Sequence, residues 1–420
     1  MIYLDYNATT PLCEPARAAM LPFLEEKFGN PSSVHAAGRE ARAAIDDARD
    51  RLADLLGAKA HELIFTSGGT EANNLAILGL ARSRAARGKH LISAKTEHHA
   101  VLNTIEHLEK REGFEVTWLN VSQTGRIDLD HLTDAIRDDT VLVSIMHANN
   151  ETGVTQPLRE ISQICRERGV LLHSDMVQSF GKIPIDDTSA NEPVIPSAVE
   201  GSRGRCLEDF AAGSLDGARD DVSLVDAASF AAHKFYGPKG AGLLFLRSGI
   251  PIEPVHFGGA HENQRRPGTE NVAAIAGMAA AAEFVERDRE QEQARQGNLR
   301  DQLWREISAQ ISPVVLNGDA HRRLANTLNI SLPALDSETM LMALDLEGVC
   351  ASSGSACMVG SVVASHVLLA MGLPLAFARS AIRFSVGKYT TAEEISATAS
   401  IVSEIVQRTN AKRSEKTVPV

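Results

Sequence analysis

The chain is poor in several things that would each assign it to a class. Five cysteines are spread over 420 residues, the number is odd, and no two have CxxC spacing. A disulfide framework is therefore not expected. Aromatic residues make up only 5%, and nowhere do about 18 apolar residues follow one another, so no transmembrane helix is expected. The N-terminus has neither a basic region nor an apolar run of signal-peptide length, and the default expectation is a cytoplasmic protein with reduced thiols. Basic residues do not dominate either: 42 Lys and Arg against 54 Asp and Glu give a net charge of −12. That balance argues against direct nucleic-acid binding and against a membrane-surface role. What remains is a chain that is 44% hydrophobic and 23% charged, long enough for two domains.

From residue 36 to about 262 the pattern alternates. Ala41, Ile45, Ala48, Leu52 and Leu55 recur at helical spacing and Gly57 ends the run. An apolar run over 62–66 enters Ser67-Gly68-Gly69-Thr70, with a helix after it. Strands are predicted at 90–94, 114–120, 140–147, 170–175, 226–231 and 242–247. The class is therefore α/β, with a mostly parallel sheet covered by helices and ligands at the carboxyl ends of its strands. A long helical stretch is predicted from about 271 to 309. Strands at 326–332, 349–353 and 380–387 and helices at 336–347 and 391–408 then form a smaller α+β domain, with a frayed tail after Asn410. The predicted division is a large domain over 12–262 and a small one made of 1–11 and 263–420. One segment, 187–224, has Pro and Gly but no period and reads as an insertion that loops outward.

Polar clusters fall at the predicted strand ends. Lys234 follows a strand within Ala232-His233-Lys234-Phe235-Tyr236-Gly237-Pro238. A partly desolvated lysine has a lowered pKa and can form a Schiff base, whereas an isolated loop lysine is usually only exposed. Asp175 ends another strand in His173-Ser174-Asp175-Met176-Val177-Gln178. A Schiff-base lysine plus an acid that holds a pyridinium proton is what pyridoxal phosphate requires. Ser67-Gly68-Gly69-Thr70-Glu71 adds a turn whose backbone N–H groups suit a phosphate, although such a glycine pair is also an ordinary tight turn.

Ten motifs in order carry a resemblance: Leu4–Thr10, Gly29–Ser33, Thr66–Glu71, Thr96–His98, Asn149–Glu151, His173–Gln178, His233–Gly240, Arg266–Asn271, Ser352–Cys357 and Arg383–Gly387. From about residue 2 to about 408, interrupted only by the insertion, the chain resembles the NifS/IscS-type cysteine desulfurases. These are class-V, pyridoxal-phosphate enzymes of the aspartate-aminotransferase fold (fold type I). The resemblance implies that Lys234 holds pyridoxal 5'-phosphate and shuttles the substrate Cα proton. It implies that His98 stacks on the ring, Asp175 binds its nitrogen and Gln178 bonds its phenolic oxygen. Gly69, Thr70 and His233 would hold the phosphate, joined by Thr269 from the second subunit of a homodimer. Asn150 would touch cofactor and substrate and, with Arg383, clamp the substrate carboxylate. Cys357, in the small-residue stretch Ser352–Ser361, would attack the sulfur of L-cysteine as a thiolate, giving L-alanine and a persulfide. The other four cysteines, Cys13, Cys165, Cys206 and Cys350, read as inert.

The implied use of the sulfur is iron–sulfur cluster assembly through an acceptor or scaffold protein. No metal is implied in the resting enzyme, with Cys357 a candidate transient cluster ligand. A selenocysteine lyase, another class-V enzyme and a non-catalytic partner protein are the alternatives. Two departures stand out. Ala231 occupies the place where the family puts a serine hydroxyl on the phosphate. After Cys357, Met358, Val359, Val362, Val363 and Ala364 make the loop more apolar than the family's usual Thr-Ser-x-Ser-Leu-Glu-Pro.

Overall fold

A computed structural model describes residues 1–184, 224–333, 335–353 and 364–416, with side chains to residue 411. Its strands are β1 (Ile2–Tyr3), β2 (Leu63–Thr66), β3 (His90–Ala94), β4 (Glu115–Leu119), β5 (Thr140–Ser144), β6 (Leu171–Asp175), β7 (Ala227–Ala231), β8 (Gly242–Leu246), β9 (Val315–Leu316), β10 (Thr327–Ser331), β11 (Val349–Cys350) and β12 (Ala381–Ser385). Seven of them form one sheet in the order β2-β8-β7-β6-β5-β3-β4. Strands β3 to β7 pair in parallel, and only β8 runs against its neighbours β2 and β7. The carboxyl ends of β2, β3, β5, β6 and β7 therefore lie along one edge.

Both faces of this sheet are apolar, which is why its strands read as continuous hydrophobic runs. The alternation is visible residue by residue. Leu63, Phe65, Leu243 and Phe245 face one core, while Ile64, Leu244 and Leu246 face another. Helices Gly69–Ser83 and His99–Glu112 cover the second face. Helix Ala36–Leu56 packs on the first, burying Ala41, Ile45, Ala48 and Leu52 and ending at Gly57 with φ 62°, as the glycine predicts.

The predicted helix over 271–309 is two helices, Val272–Glu286 and Arg289–Gln310. The first is apolar all round and lies buried in the large core beside Ala36–Leu56. The second is largely polar, but Leu299, Leu303 and Ile307 enter a separate core, with Trp304 packed against it. A single straight rod cannot serve both cores. The break falls at Asp288, whose carboxylate accepts two hydrogen bonds from Lys388 Nζ at 2.5 and 2.6 Å. By packing, the large unit thus reaches residue 286 and extends past the predicted division at 262.

The second core is built on the antiparallel sheet β12-β10-β9 and helices Arg289–Gln310, Ser337–Leu346 and Ala392–Lys416. The last helix continues to Lys416, six residues past Asn410 into the tail predicted to fray. The strand predicted over 349–353 shortens to β11, which β1 joins in parallel, with Ser352 making a lone bridge to Arg383. The N-terminal segment passes from the second core (Leu4) into the first (Tyr6). Of the predicted insertion only Leu224 lies among the described residues. It is buried, and its carbonyl accepts a hydrogen bond from Ser162 Oγ.

His173 ties the middle strands together: its Nδ1 lies 2.9 Å from Ser144 Oγ on β5 and its Nε2 lies 3.0 Å from Ser229 Oγ on β7. Burial pushes its pKa down to about 3. Since the unfolded imidazole titrates near 6.5, the unfolded chain binds this proton first as pH falls. Stability from His173 is complete above about 6.5 and is lost as pH falls toward 3. At pH 5, His173→Gln should lower the proton uptake on unfolding by about one, measured from the pH dependence of urea melts. An unchanged slope would contradict the assignment.

Candidate active site

Five strand ends and β12 converge on one cavity of about 300 Å³. After β2 the chain turns through Ser67-Gly68 into helix Gly69–Ser83, whose first residue has no side chain because there is no space for one. A Cβ on Gly69 would lie 2.6 Å from Val177 Cγ2. Gly69 and Thr70 line the cavity, and no side chain caps this helix start. Glu71 braces the turn: Oε2 accepts from Ser67 N at 2.7 Å and Oε1 from Arg266 Nε at 2.7 Å. Burial opposes the Glu71 charge, but the Arg266 and Ser67 hydrogen bonds outweigh it and hold its carboxyl below the usual range.

After β3, His98 caps helix His99–Glu112, accepting from Ala100 N through Nδ1 at 3.0 Å. That bond orients the ring at the cavity, and burial, opposed by Asp175, lowers its pKa. Beside it Glu97 is buried. Its Oε1 accepts from Met146 N at 2.7 Å, and its Oε2 has no hydrogen-bond partner among the described residues. Burial and, less strongly, Asp175 raise its pKa well above the carboxylate range, which favours the neutral acid.

At the end of β6, Asp175 Oδ2 accepts from Asn73 Nδ2 at 2.6 Å and Oδ1 accepts from Val177 N at 3.0 Å. Gln178 Nε2 donates to Asn7 O at 2.9 Å. At the end of β7 one helical turn delivers His233 and Lys234. Lys234 Nζ donates to Asn7 O at 2.6 Å and Ala8 O at 2.7 Å. The N-terminal segment is clipped onto this turn: Thr10 N donates to His233 O at 2.9 Å and Thr10 Oγ1 accepts from Tyr236 N at 2.7 Å. Burial, then Lys234 and Lys239, push His233 down to about 4.

After β5 the Asn149 side chain accepts from the Glu151 and Thr152 N–H groups, fixing a tight turn. The turn presents Asn150 to the cavity, and its carbonyl accepts from Arg383 Nη1 at 2.9 Å. Arg383, buried on β12, also pairs with Asp5 at 2.7 Å. Ala231 lines the cavity at the end of β7 and supplies no hydroxyl there.

Of the residues singled out in the sequence, Gly69, Thr70, His98, Asn150, Asp175, Gln178, His233, Lys234 and Arg383 border this one cavity. Thr269 does not: it is exposed and away from the wall. Cys357 lies outside the described residues, as does Cys206. Cys13 and Cys165 are buried and free. Burial raises the pKa of both thiols, that of Cys165 to about 12. Residues to which sequence reasoning gave no role are Asn7, Asn73, Glu97, Glu151 and Lys182. Asn7, Glu97 and Glu151 lay inside motifs already noticed, and Asn73 lies four residues after Gly69 on the same helix.

The donor set suits a planar cationic ring that carries a phosphate. Backbone N–H groups at Gly69 and Thr70 suit the anion, Asp175 a protonated ring nitrogen, His98 a ring face, and Lys234 a carbonyl carbon. The buried Asn73 Oδ1 has no hydrogen-bond partner among the described residues, as in a wall waiting for a polar occupant. Among the described residues no helix is long and apolar enough to cross a membrane, and no cluster of side chains could hold a metal ion.

Comparison with known proteins adds an independent line. The class-V aminotransferase family matches residues 2–191 and 211–398. A cysteine desulfurase IscS of Dictyoglomus turgidum is 45% identical over 407 residues, 97% of this chain and 95% of that one. One from Methanosarcina thermophila is 40% identical, covering 97% and 92%. Among solved structures, a NifS-like protein superposes with a TM-score of 0.83 at 33% identity, covering 97% of this chain and 99% of that one. SspA in complex with cysteine gives 0.75 at 32% identity, covering 93% and 100%.

Proposed function

The chain belongs to the class-V aminotransferase family and, within it, to the cysteine desulfurases, and on that premise we propose how its own residues do the work. The observation that carries the proposal is the convergence of Lys234, His98, Asp175, Gln178, Asn150 and Arg383 on one cavity. Pyridoxal 5'-phosphate, when bound, supplies an electron sink for the carbanion formed at the substrate Cα.

Lys234 would hold that group and, as a free amine, would move the substrate Cα proton. Asp175, held on both oxygens by Asn73 and the backbone of Val177, would accept from the protonated ring nitrogen. His98, whose pKa burial lowers, would stack on the ring face. Gly69, Thr70 and His233 hold the phosphate, without a hydroxyl from residue 231. Arg383, positioned by Asn150 O and Asp5, receives the carboxylate of L-cysteine. Cys357 then attacks as a thiolate. An S–S bond forms between Cys357 and the substrate sulfur while the substrate Cβ–S bond breaks. The bonding pair stays with the carbon fragment, which takes up protons and leaves as L-alanine.

Thr269 is exposed and away from its own cavity, so its part in holding the phosphate belongs to a homodimer in which it serves the second subunit's site. The protein acts in the cytoplasm and passes the persulfide sulfur to an acceptor of the iron–sulfur assembly kind. The test is product analysis: purified protein with L-cysteine and a thiol reductant should release L-alanine and sulfide in equal amounts. Turnover of selenocysteine alone would overturn the substrate assignment.

A further inference from the structure

One amine beside the cavity has no part in the reaction as described. Lys182 lies four residues after Gln178. Its Nζ donates to Gln178 Oε1 at 2.9 Å and reaches Asn7 Oδ1 at 3.4 Å. It borders a second, much smaller cavity of about 30 Å³, whose wall also includes Lys234, so Lys234 stands between the two spaces. Asn7 joins them: its main-chain oxygen accepts from both Gln178 Nε2 and Lys234 Nζ, and its side-chain oxygen also accepts from Asn326 Nδ2 at 2.9 Å.

We propose that Lys182 is a positioning residue that holds the Gln178 amide with its oxygen turned away from the active-site cavity and its N–H groups turned toward it. The inference rests on the reading that this cavity takes pyridoxal phosphate. A primary amide can sit in either of two orientations related by a half-turn, and its neighbours decide between them. On one side of Gln178 is the Asn7 main-chain oxygen, which only accepts, so the amide nitrogen must face it. On the other side is an amine able to donate three times, so the oxygen faces that. The two neighbours agree. The half-turned amide would set two carbonyl oxygens against each other and leave the amine facing N–H groups, losing both hydrogen bonds.

One Gln178 hydrogen goes to Asn7, leaving the second for an acceptor inside the cavity, such as an anionic ring oxygen. In its protonated form the amine does this better than a neutral side chain because its hydrogen bonds are then charge-assisted, and the neutral amine still donates. The charged groups facing Lys182 are Lys234 and Arg383; together with burial, the larger effect, they push its amine down to about 7.

The test compares wild type, Lys182→Met, Gln178→Ala and the double variant, each stripped of cofactor and titrated with pyridoxal phosphate. Two quantities are read from the visible band: the Kd, and the pH at which the bound cofactor changes absorption wavelength. Lys182→Met should raise Kd about tenfold, the loss of one charge-assisted hydrogen bond. It should also move the wavelength change up by about one pH unit, since both a donor and a positive charge are removed. In the Gln178→Ala background less than half of either effect should remain.

Lys182→Gln, which keeps an N–H donor, should return Kd to within about threefold of wild type, and it carries the test if the methionine variant does not fold. The inference is overturned if Lys182→Met changes neither quantity, if its effects are equally large without Gln178, or if Lys182→Gln is as impaired as Lys182→Met. Absence of any band in wild type would instead sink the reading of the cavity itself.

Discussion

Lys234→Ala should abolish alanine formation from L-cysteine, a loss on the order of 10⁴-fold or more, and should remove the visible band that appears when cofactor is added. Both effects come from one amine. Lys234 is the nucleophile through which the cofactor would be fixed and the base that would carry the Cα proton, so alanine removes two functions that act in series. The protein should stay folded. Lys234 Nζ donates to the Asn7 and Ala8 carbonyls, and its loss leaves two acceptors beside a polar cavity that water can enter. That costs roughly 1–3 kcal/mol, a modest fall in Tm visible by circular dichroism. A Lys234→Ala protein that keeps its band and its activity would show that another amine does the chemistry, Lys182 being the neighbour to examine first.

Cys357→Ser should separate the two halves of the reaction. The band remains, because none of the described residues that border the cavity has changed, while alanine formation falls on the order of 10²–10³-fold, as expected when a nucleophile is replaced by a weaker one. None of the described cysteines can substitute. Cys13 and Cys165 are buried with raised pKa values, and a protonated thiol does not attack sulfur. Cys350 is partly exposed but lies on β11, paired with Tyr3 and away from the cavity wall. Undiminished alanine formation by Cys357→Ser would contradict the assignment of the sulfur acceptor, though not that of the cofactor site.

Much of this was legible before any coordinates. The strands of the large sheet are doubly buried and therefore announce themselves as apolar runs, and the residues just after them are the ones that line the cavity. Lys234, Asp175 and Gly69 could be picked out because each sits at such a junction. The break at Asp288 could not, because the run from 271 to 309 has no proline and helix formers on both sides of Asp288. What divides it is a demand from tertiary structure, two cores and the ion pair with Lys388. Asn7 and Lys182 escaped for a similar reason. Asn7 meets Asn150, Gln178, Lys234, Asn326 and Thr327 only after the N-terminal segment crosses between the two cores, and Lys182, though four residues from Gln178, is buried beside Lys234 and Arg383 only in the folded chain. Glu97 and Glu151 were visible as letters inside motifs, yet nothing in the letters says that both carboxyls are buried and that their pKa values are raised by desolvation.

The most direct test of the central claim is a single turnover without reductant. Purified holoenzyme is mixed with one equivalent of L-cysteine, quenched in a thiol-blocking reagent, digested and mapped by mass spectrometry. The account predicts one L-alanine per active site and one added sulfur on the peptide containing Cys357, with Cys13, Cys165, Cys206 and Cys350 unchanged. Alanine formed with the added sulfur on a different cysteine, or on none, would contradict it.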